Sequence, residues 1–184
     1  GPLNICITVF GEVPAGAARR PGEPATQALL RAVPQPGDDV YVSGTPGKTQ
    51  HMNMFRLPTF YLVDLPGYGF AHANKGMRAG YRMLVEGYLT KREQLKGVVW
   101  LLDISHEPSK DDLAFQDLLA ESGRPALVVL TKADKLGRQQ QRLQAKAIAK
   151  VLGLTEESLQ TVSSVEGTGI ADLGQSIMAA VAAE

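Results

Sequence analysis

The decapeptide Phe60-Tyr-Leu-Val-Asp64-Leu-Pro66-Gly67-Tyr68-Gly69 puts a carboxylate at the end of an apolar run and follows it with x-Pro-Gly. A carboxylate so placed can hold Mg²⁺ through water, and a glycine three residues on can offer its backbone N–H to a terminal phosphate. Glycine suits that task because a side chain would block the phosphate oxygens. Asp64 is therefore a candidate metal residue and Gly67 a candidate phosphate donor. The plain alternative is a strand end capped by an Asp before a Pro-Gly turn.

Thr131-Lys132-Ala133-Asp134 follows a second apolar run, Ala126 to Leu130, and begins 67 residues after Asp64. The Asp134 carboxylate can accept hydrogen bonds from the N1–H and exocyclic amine of guanine, a pair that adenine lacks. The Lys132 stem can lie over the purine face. In isolation a T-K-x-D sequence is as well read as a solvated strand-to-helix turn; its placement after a buried strand favours the base-reading role. Ser163 and Ser164, beside Gly167, are small enough to let backbone amides approach the base oxygen. Ser43-Gly-Thr45-Pro-Gly-Lys48-Thr49-Gln50 precedes the strand that ends at Asp64. A threonine on such a loop is suited to Mg²⁺ and would order the loop only when the terminal phosphate is present. A Pro-Gly turn with incidental hydroxyls is the other reading.

Positioning these pieces requires strands that end together. Asn4 to Phe10, Phe60 to Asp64, Gly97 to Asp103 and Ala126 to Leu130 read as buried parallel strands, because the last two are continuously apolar rather than alternating. Helices are expected over Lys75 to Leu95, Lys110 to Ser122, Arg138 to Leu152 and Ile170 to Ala183, with a short one at Pro24 to Val33. The alternation predicts a doubly wound, mostly parallel α/β sheet with helices on both faces, forming one domain over residues 1–184. Six of the 11 prolines fall within residues 14–46, between the first two strands, which makes that stretch mostly loop.

Together T-P-G-K-T-Q, D-L-P-G-Y-G-F-A, the run from Leu89 to Val99, Pro108-Ser-Lys-Asp-Asp and T-K-A-D resemble the EngB (YsxC) family of small GTPases. The resemblance runs from Ser43 to the end in the right order and spacing. It implies a P-loop GTPase-like fold, GTP or GDP with Mg²⁺ as cofactors, and a part in late assembly of the large ribosomal subunit. Carried over to this chain, Thr49 and Asp64 are the metal residues, and Gly67, Thr131, Lys132, Asp134, Ser163 and Ser164 the nucleotide residues. The implied partners are the large-subunit precursor, both rRNA and ribosomal proteins, and other assembly factors.

The chain departs from that pattern where the triphosphate should be held. Gly11 to Gly16 reproduces the spacing of G-x-x-x-x-G-K-[ST], yet Ala17 and Ala18 stand where Lys and Ser/Thr belong. A second alignment on Gly22 puts Glu23 and Pro24 there instead. Without the lysine a charge-assisted hydrogen bond worth roughly 1.5–3 kcal/mol is missing. Tyr68 also follows Gly67 where Ras-like enzymes soon place a water-orienting glutamine. Slow, partner-dependent turnover or none is the expectation, the catalytic residues are unassigned, and the rival reading is a pseudo-GTPase acting as a structural binding module without nucleotide. A GTPase working away from ribosomes, in trafficking or metal insertion, is a third.

Composition narrows the partners. With 19 basic and 19 acidic residues among 184 the net charge is zero, which disfavours a general polyanion coat but allows local basic patches. Lys75, Arg78, Arg82, Arg92 and Lys96 fall on about a third of the circumference of a helix starting near Lys75. They read either as an rRNA-phosphate stripe or as a solvated face laced with Glu86 and Glu93. The single Cys6 allows no intrachain disulfide and fits a reducing compartment, and the apolar runs are too short to cross a membrane. An altered nucleotide loop in such a family suggests the mitochondrial matrix, with bacterial cytoplasm or plastid as alternatives. His51, His72 and His106 have no metal-site spacing and read as surface or loop residues.

Overall fold

The computed structural model describes residues 6–10, 53–57, 60–65, 83, 85–92 and 95–183. Six strands form one sheet: β1 (Cys6–Phe10), β2 (Asn53–Arg56), β3 (Tyr61–Leu65), β4 (Leu95–Asp103), β5 (Ala126–Thr131) and β6 (Leu159–Thr161). Their spatial order is β2-β3-β1-β4-β5-β6. Residues 85–91 are helical. Three further helices are α1 (Lys110–Ser122), α2 (Arg138–Leu152) and α3 (Ile170–Ala182).

β4 pairs with β5, and β5 with β6, in parallel, so their carboxyl ends share one end of the sheet. β3 points the same way, since both β3 and β4 run antiparallel to the strand between them. That intervening strand, β1, is a correction to the expected parallel order. Cys6 faces Leu65 and Trp100, whereas Phe10 faces Leu95 at the start of β4. A short apolar run shows that a strand is buried but not which way it points, because direction is set by pairing and connection. β2, absent from the sequence reading, pairs antiparallel with β3, and just beyond the pairing Leu57 N–H donates to Phe60 O at 2.8 Å. Asn53-Met-Phe-Arg lacks the apolar run that marks β4 and β5.

Helices do cover both faces. On one, Leu89 of the 85–91 segment, Phe115 and Leu119 of α1 and Ile148 and Leu152 of α2 pack on Val98, Trp100, Leu102 and Leu130. Trp100 and Phe115 meet in a tilted ring pair, centroids 5.9 Å apart. On the other, Ile177 of α3 packs with Leu57, Phe60, Val99 and Val129. The alternation of core sides along Val98-Val99-Trp100 is why β4 is apolar at every position from Val98 to Leu102.

The Pro108-Ser-Lys-Asp-Asp segment is a helix start. Ser109 is the N-cap of α1, its hydroxyl accepting from Asp112 N–H at 3.2 Å, while the Asp112 carboxylate accepts from Ser109 N–H at 2.7 Å. The helix expected at 75–95 ends earlier than its pattern suggested: Leu95 opens β4, and Arg124 donates to the carbonyls of Leu89, Arg92 and Leu95, fixing that junction. Lys96 is therefore a strand residue whose amine donates to Ala183 O at 3.0 Å, not part of a helical basic stripe. Lys75, Arg78 and Arg82 lie outside the described residues, as does the short helix at Pro24 to Val33.

Candidate nucleotide-base site

The site forms where β4, β5 and β6 end. Thr131 closes β5, its hydroxyl donating to Leu102 O at 3.0 Å, and its carbonyl accepts from Ile104 N–H at 3.1 Å. Lys132 then takes the left-handed conformation, φ 61°, the only non-glycine among the described residues to do so. Such a backbone costs about 1 kcal/mol or more and survives only when its surroundings impose it. Here they do. The following turn is tied to the residue after β6 by Ala133 N–H donating to Val162 O, and to α2 by the Gln141 amide, which donates to the carbonyls of Ala133 and Leu136, each at 2.9 Å.

Asp134 emerges from this turn exposed, with one oxygen already engaged. The buried Ser163 hydroxyl donates to Asp134 Oδ1 at 2.5 Å and accepts from Glu166 N–H at 3.1 Å. Ser163 N–H donates to Thr168 O at 2.9 Å, which braces the 163–168 loop. Gly169 completes it: with φ +70° and no room for a Cβ against Thr161 O, no other residue fits where the loop enters α3. The carboxylate is thus held in one orientation before any ligand arrives, its second oxygen in the open. Ser164 is exposed in the adjoining turn.

Asp103, at the end of β4 and in register with Thr131, was not singled out in the sequence. Its carboxylate accepts from Lys132 Nζ at 2.7 Å and from Ser105 N–H at 3.0 Å, and Lys135 Nζ lies 3.5 Å away. Burial pushes the Asp103 acid up, but the hydrogen bond and charge of Lys132 and the two hydrogen bonds from Ser105 outweigh it, holding the group well below the usual carboxylate range. The pair fixes the Lys132 stem, leaving the lysine 41% exposed over a side chain that is 3% exposed. A lone acid closing the unbroken run Val98 to Leu102 was the signal available in the sequence.

Of the remaining candidates, Thr49 and Gly67 lie outside the described residues. Asp64 is the penultimate residue of β3. Both Asp64 and Val99 face Ile7, so Asp64 stands level with Val99. That sets it back from Asp103 by four residues, roughly 13 Å at strand rise. Among the described residues no three His, Cys, Asp or Glu side chains gather as a metal cluster. A Mg²⁺ held mainly by phosphates and water needs only one carboxylate from the protein, so Asp64 fits that ion by its chemistry.

The sequence model of a family described as 50S ribosome-binding GTPase matches residues 28–132. A probable GTP-binding protein EngB from Gemmatimonas aurantiaca is 41% identical over 138 residues, covering 74% of this chain and 68% of that protein. The chain belongs to the EngB family of GTP-binding proteins. A second EngB, from Syntrophomonas wolfei, is 43% identical over 132 residues, covering 71% of this chain and 68% of its own length. The crystal structure of a probable GTP-binding protein EngB shares the fold, with a TM-score of 0.63 at 17% identity over 71% of this chain and 83% of that one. As an EngB-family member the chain carries Thr131 and Lys132 inside the matched region, and the match opens at residue 28, beyond both glycine alignments at Gly11–Gly16 and Gly22.

Proposed function

We propose that this chain binds guanine nucleotides weakly at the triphosphate end and serves as an assembly factor for the large ribosomal subunit. One observation carries the guanine part: Asp134 is pre-oriented by Ser163 with one carboxylate oxygen free, above a lysine stem held by Asp103. A fixed acceptor of this kind suits the two N–H groups on one edge of guanine and repels the acceptor edge of other purines. Lys132 covers one face of the base, and the 163–168 loop closes its rim. Bound GTP would bring Mg²⁺, whose charge offsets that of the phosphates; Asp64 and Thr49 are the residues of this chain suited to hold it.

Weakness at the phosphates is supported from two directions. Ala17 and Ala18, or Glu23 and Pro24 in the alignment on Gly22, stand where the phosphate lysine and the Mg²⁺ hydroxyl belong. β1 also delivers the chain at Phe10, beside Leu95, at the end of the sheet away from Asp103 and Thr131. The ribosomal part rests on family membership: the matched family is described as 50S ribosome-binding, and the cited relatives are bacterial. The partners in this reading are the rRNA and proteins of a large-subunit precursor together with other assembly factors. The setting is the mitochondrial matrix or another compartment with a bacterial-type ribosome.

Calorimetric titration of the full chain with GDP, GTP and ADP, each with Mg²⁺, tests the nucleotide part. GDP and GTP should bind with similar, micromolar or weaker affinity, and ADP at least about 100-fold more weakly. Sub-micromolar GTP binding with brisk hydrolysis would overturn the weakened-phosphate reading, and equal binding of ADP would overturn the guanine reading. No binding of any nucleotide, with co-sedimentation on large-subunit precursors intact, would establish the purely structural module. Loss of that co-sedimentation at every salt concentration would remove the ribosome.

A further inference from the structure

Apart from the base site, the most unusual surface is that of α2, Arg138-Gln-Gln-Gln-Arg142-Leu-Gln-Ala-Lys146-Ala-Ile-Ala-Lys150-Val-Leu152. It holds four cations and no acid, in a chain whose overall charge is zero. The cations recur at every fourth position, so each is displaced from the last by about 40° around the helix and about 6 Å along it. All four are exposed, and none forms an ion pair with a described residue. The buried side chains Ile148, Ala149 and Leu152 anchor the C-terminal half of the helix to the core on an arc that adjoins the cations. The result is a rigid cationic ridge roughly 18 Å long, with the exposed amide of Gln139 inside the same arc.

We propose that this ridge docks the phosphate backbone of double-stranded RNA. Over roughly 18 Å a nucleic-acid strand carries about five phosphates, so four cations on a straight support meet a matching row of charge. Positive side chains and amides without acids are the composition that contacts phosphate and sugar. A second copy of the chain is a poor occupant, because it would set four cations against four. A membrane surface is also a poor one: the neighbouring exposed apolar positions, Leu143 and Val151, are too few and lack the aromatic anchors of interfacial helices. The choice of RNA extends the ribosome-precursor reading and rests on it. Because Gln141 clamps the first turn of α2 to the base-site turn, RNA on the ridge and nucleotide at Asp134 would share one rigid support.

The test is fluorescence anisotropy of a labelled 16-base-pair RNA duplex with the full chain across a salt series. Neutralising four phosphates should weaken binding about 100-fold between 50 and 200 mM salt, and a variant with Arg138→Gln, Arg142→Gln, Lys146→Gln and Lys150→Gln should flatten the log–log slope by about 3. Single Lys150→Gln should cost about threefold to fivefold, which guards against misfolding of the fourfold variant; unchanged GDP affinity checks the fold. Equal binding and slope in wild type and variant would overturn the proposal. So would tighter binding to vesicles rich in phosphatidylserine than to the duplex. If the duplex is ignored while the chain still co-sediments with large-subunit precursors, the ridge proposal falls and the ribosome reading stands. Duplex binding through the ridge without co-sedimentation gives the reverse.

Discussion

The two halves of the sheet are built differently. From β4 to β6 the strands are parallel and end together, and every connection near their carboxyl ends is fastened: Thr131 to Leu102, Ala133 to Val162, Ser163 to Asp134 and Lys132 to Asp103. From β1 to β2 every ladder is antiparallel, and the first strand leaves the sheet at the end opposite to those residues. The half that carries Asp134 is assembled from three segments, residues 102–105, 131–141 and 161–169, all on one side of the sheet order. The phosphate-reading half depends on a first strand that must arrive from far away and point the right way. The contrast teaches that, in the proposed reading, recognition of a purine base and recognition of its phosphates are separable properties of such a sheet.

The largest effect expected from breaking the base half is Asp134→Ala. It removes the acceptor of two hydrogen bonds to guanine and should lower GDP affinity at least about 100-fold while leaving ADP affinity unchanged, read by calorimetry. Parallel losses for both nucleotides would mean that the carboxylate supports the loop rather than the base. Next is Asp103→Asn. Because the folded acid is held below its unfolded value, its contribution to stability is full above about pH 4 and is lost as pH falls through the folded pKa. The substitution should cost about 1–3 kcal/mol at pH 7 in urea unfolding, and the difference from wild type should shrink in acid. A cost that does not change with pH would place the role of Asp103 in packing alone.

Ser163→Ala should weaken GDP about tenfold, because the carboxylate loses its orienting donor and Glu166 N–H its acceptor. Ser163→Thr, which keeps the hydroxyl, should recover part of this if the buried site admits a methyl. The smallest effect is the sharpest test of the comparison. Restoring the phosphate-loop residues with Ala17→Lys and Ala18→Ser should raise GTP affinity less than about threefold, since β1 starts that segment from the wrong end of the sheet. A gain of tenfold or more, measured against GDP, would show that the first strand reverses when nucleotide binds.

Helix boundaries were legible from the sequence where local chemistry set them: α1 and α2 begin and end where the pattern placed them, after Ser109 and before Gly123 and Gly153, the two glycines at φ +64° and +67°. The base turn was legible too, since Thr131 to Asp134 follows a strand whose burial is evident from its composition. Asp103 was missed because a strand-end acid acquires its meaning only from a lysine 29 residues away. The cationic row of α2 is visible in the sequence at every fourth residue, but that it is exposed and unpaired is a property of packing.

Residue types alone determined that this chain has an α/β fold, that an acid, Asp134, follows the strand at 126–131, and that neither Gly16 nor Gly22 is followed by Lys and Ser/Thr. Those are facts of local order, readable because apolar runs, caps and turns are fixed by neighbours a few residues apart. Tertiary structure decided the direction of the first strand, the pairing of Lys132 with Asp103 and the orientation of Asp134 by Ser163. Each joins segments at least 29 residues apart, and their meeting is governed by which faces pack and which ends coincide, quantities that no local pattern contains.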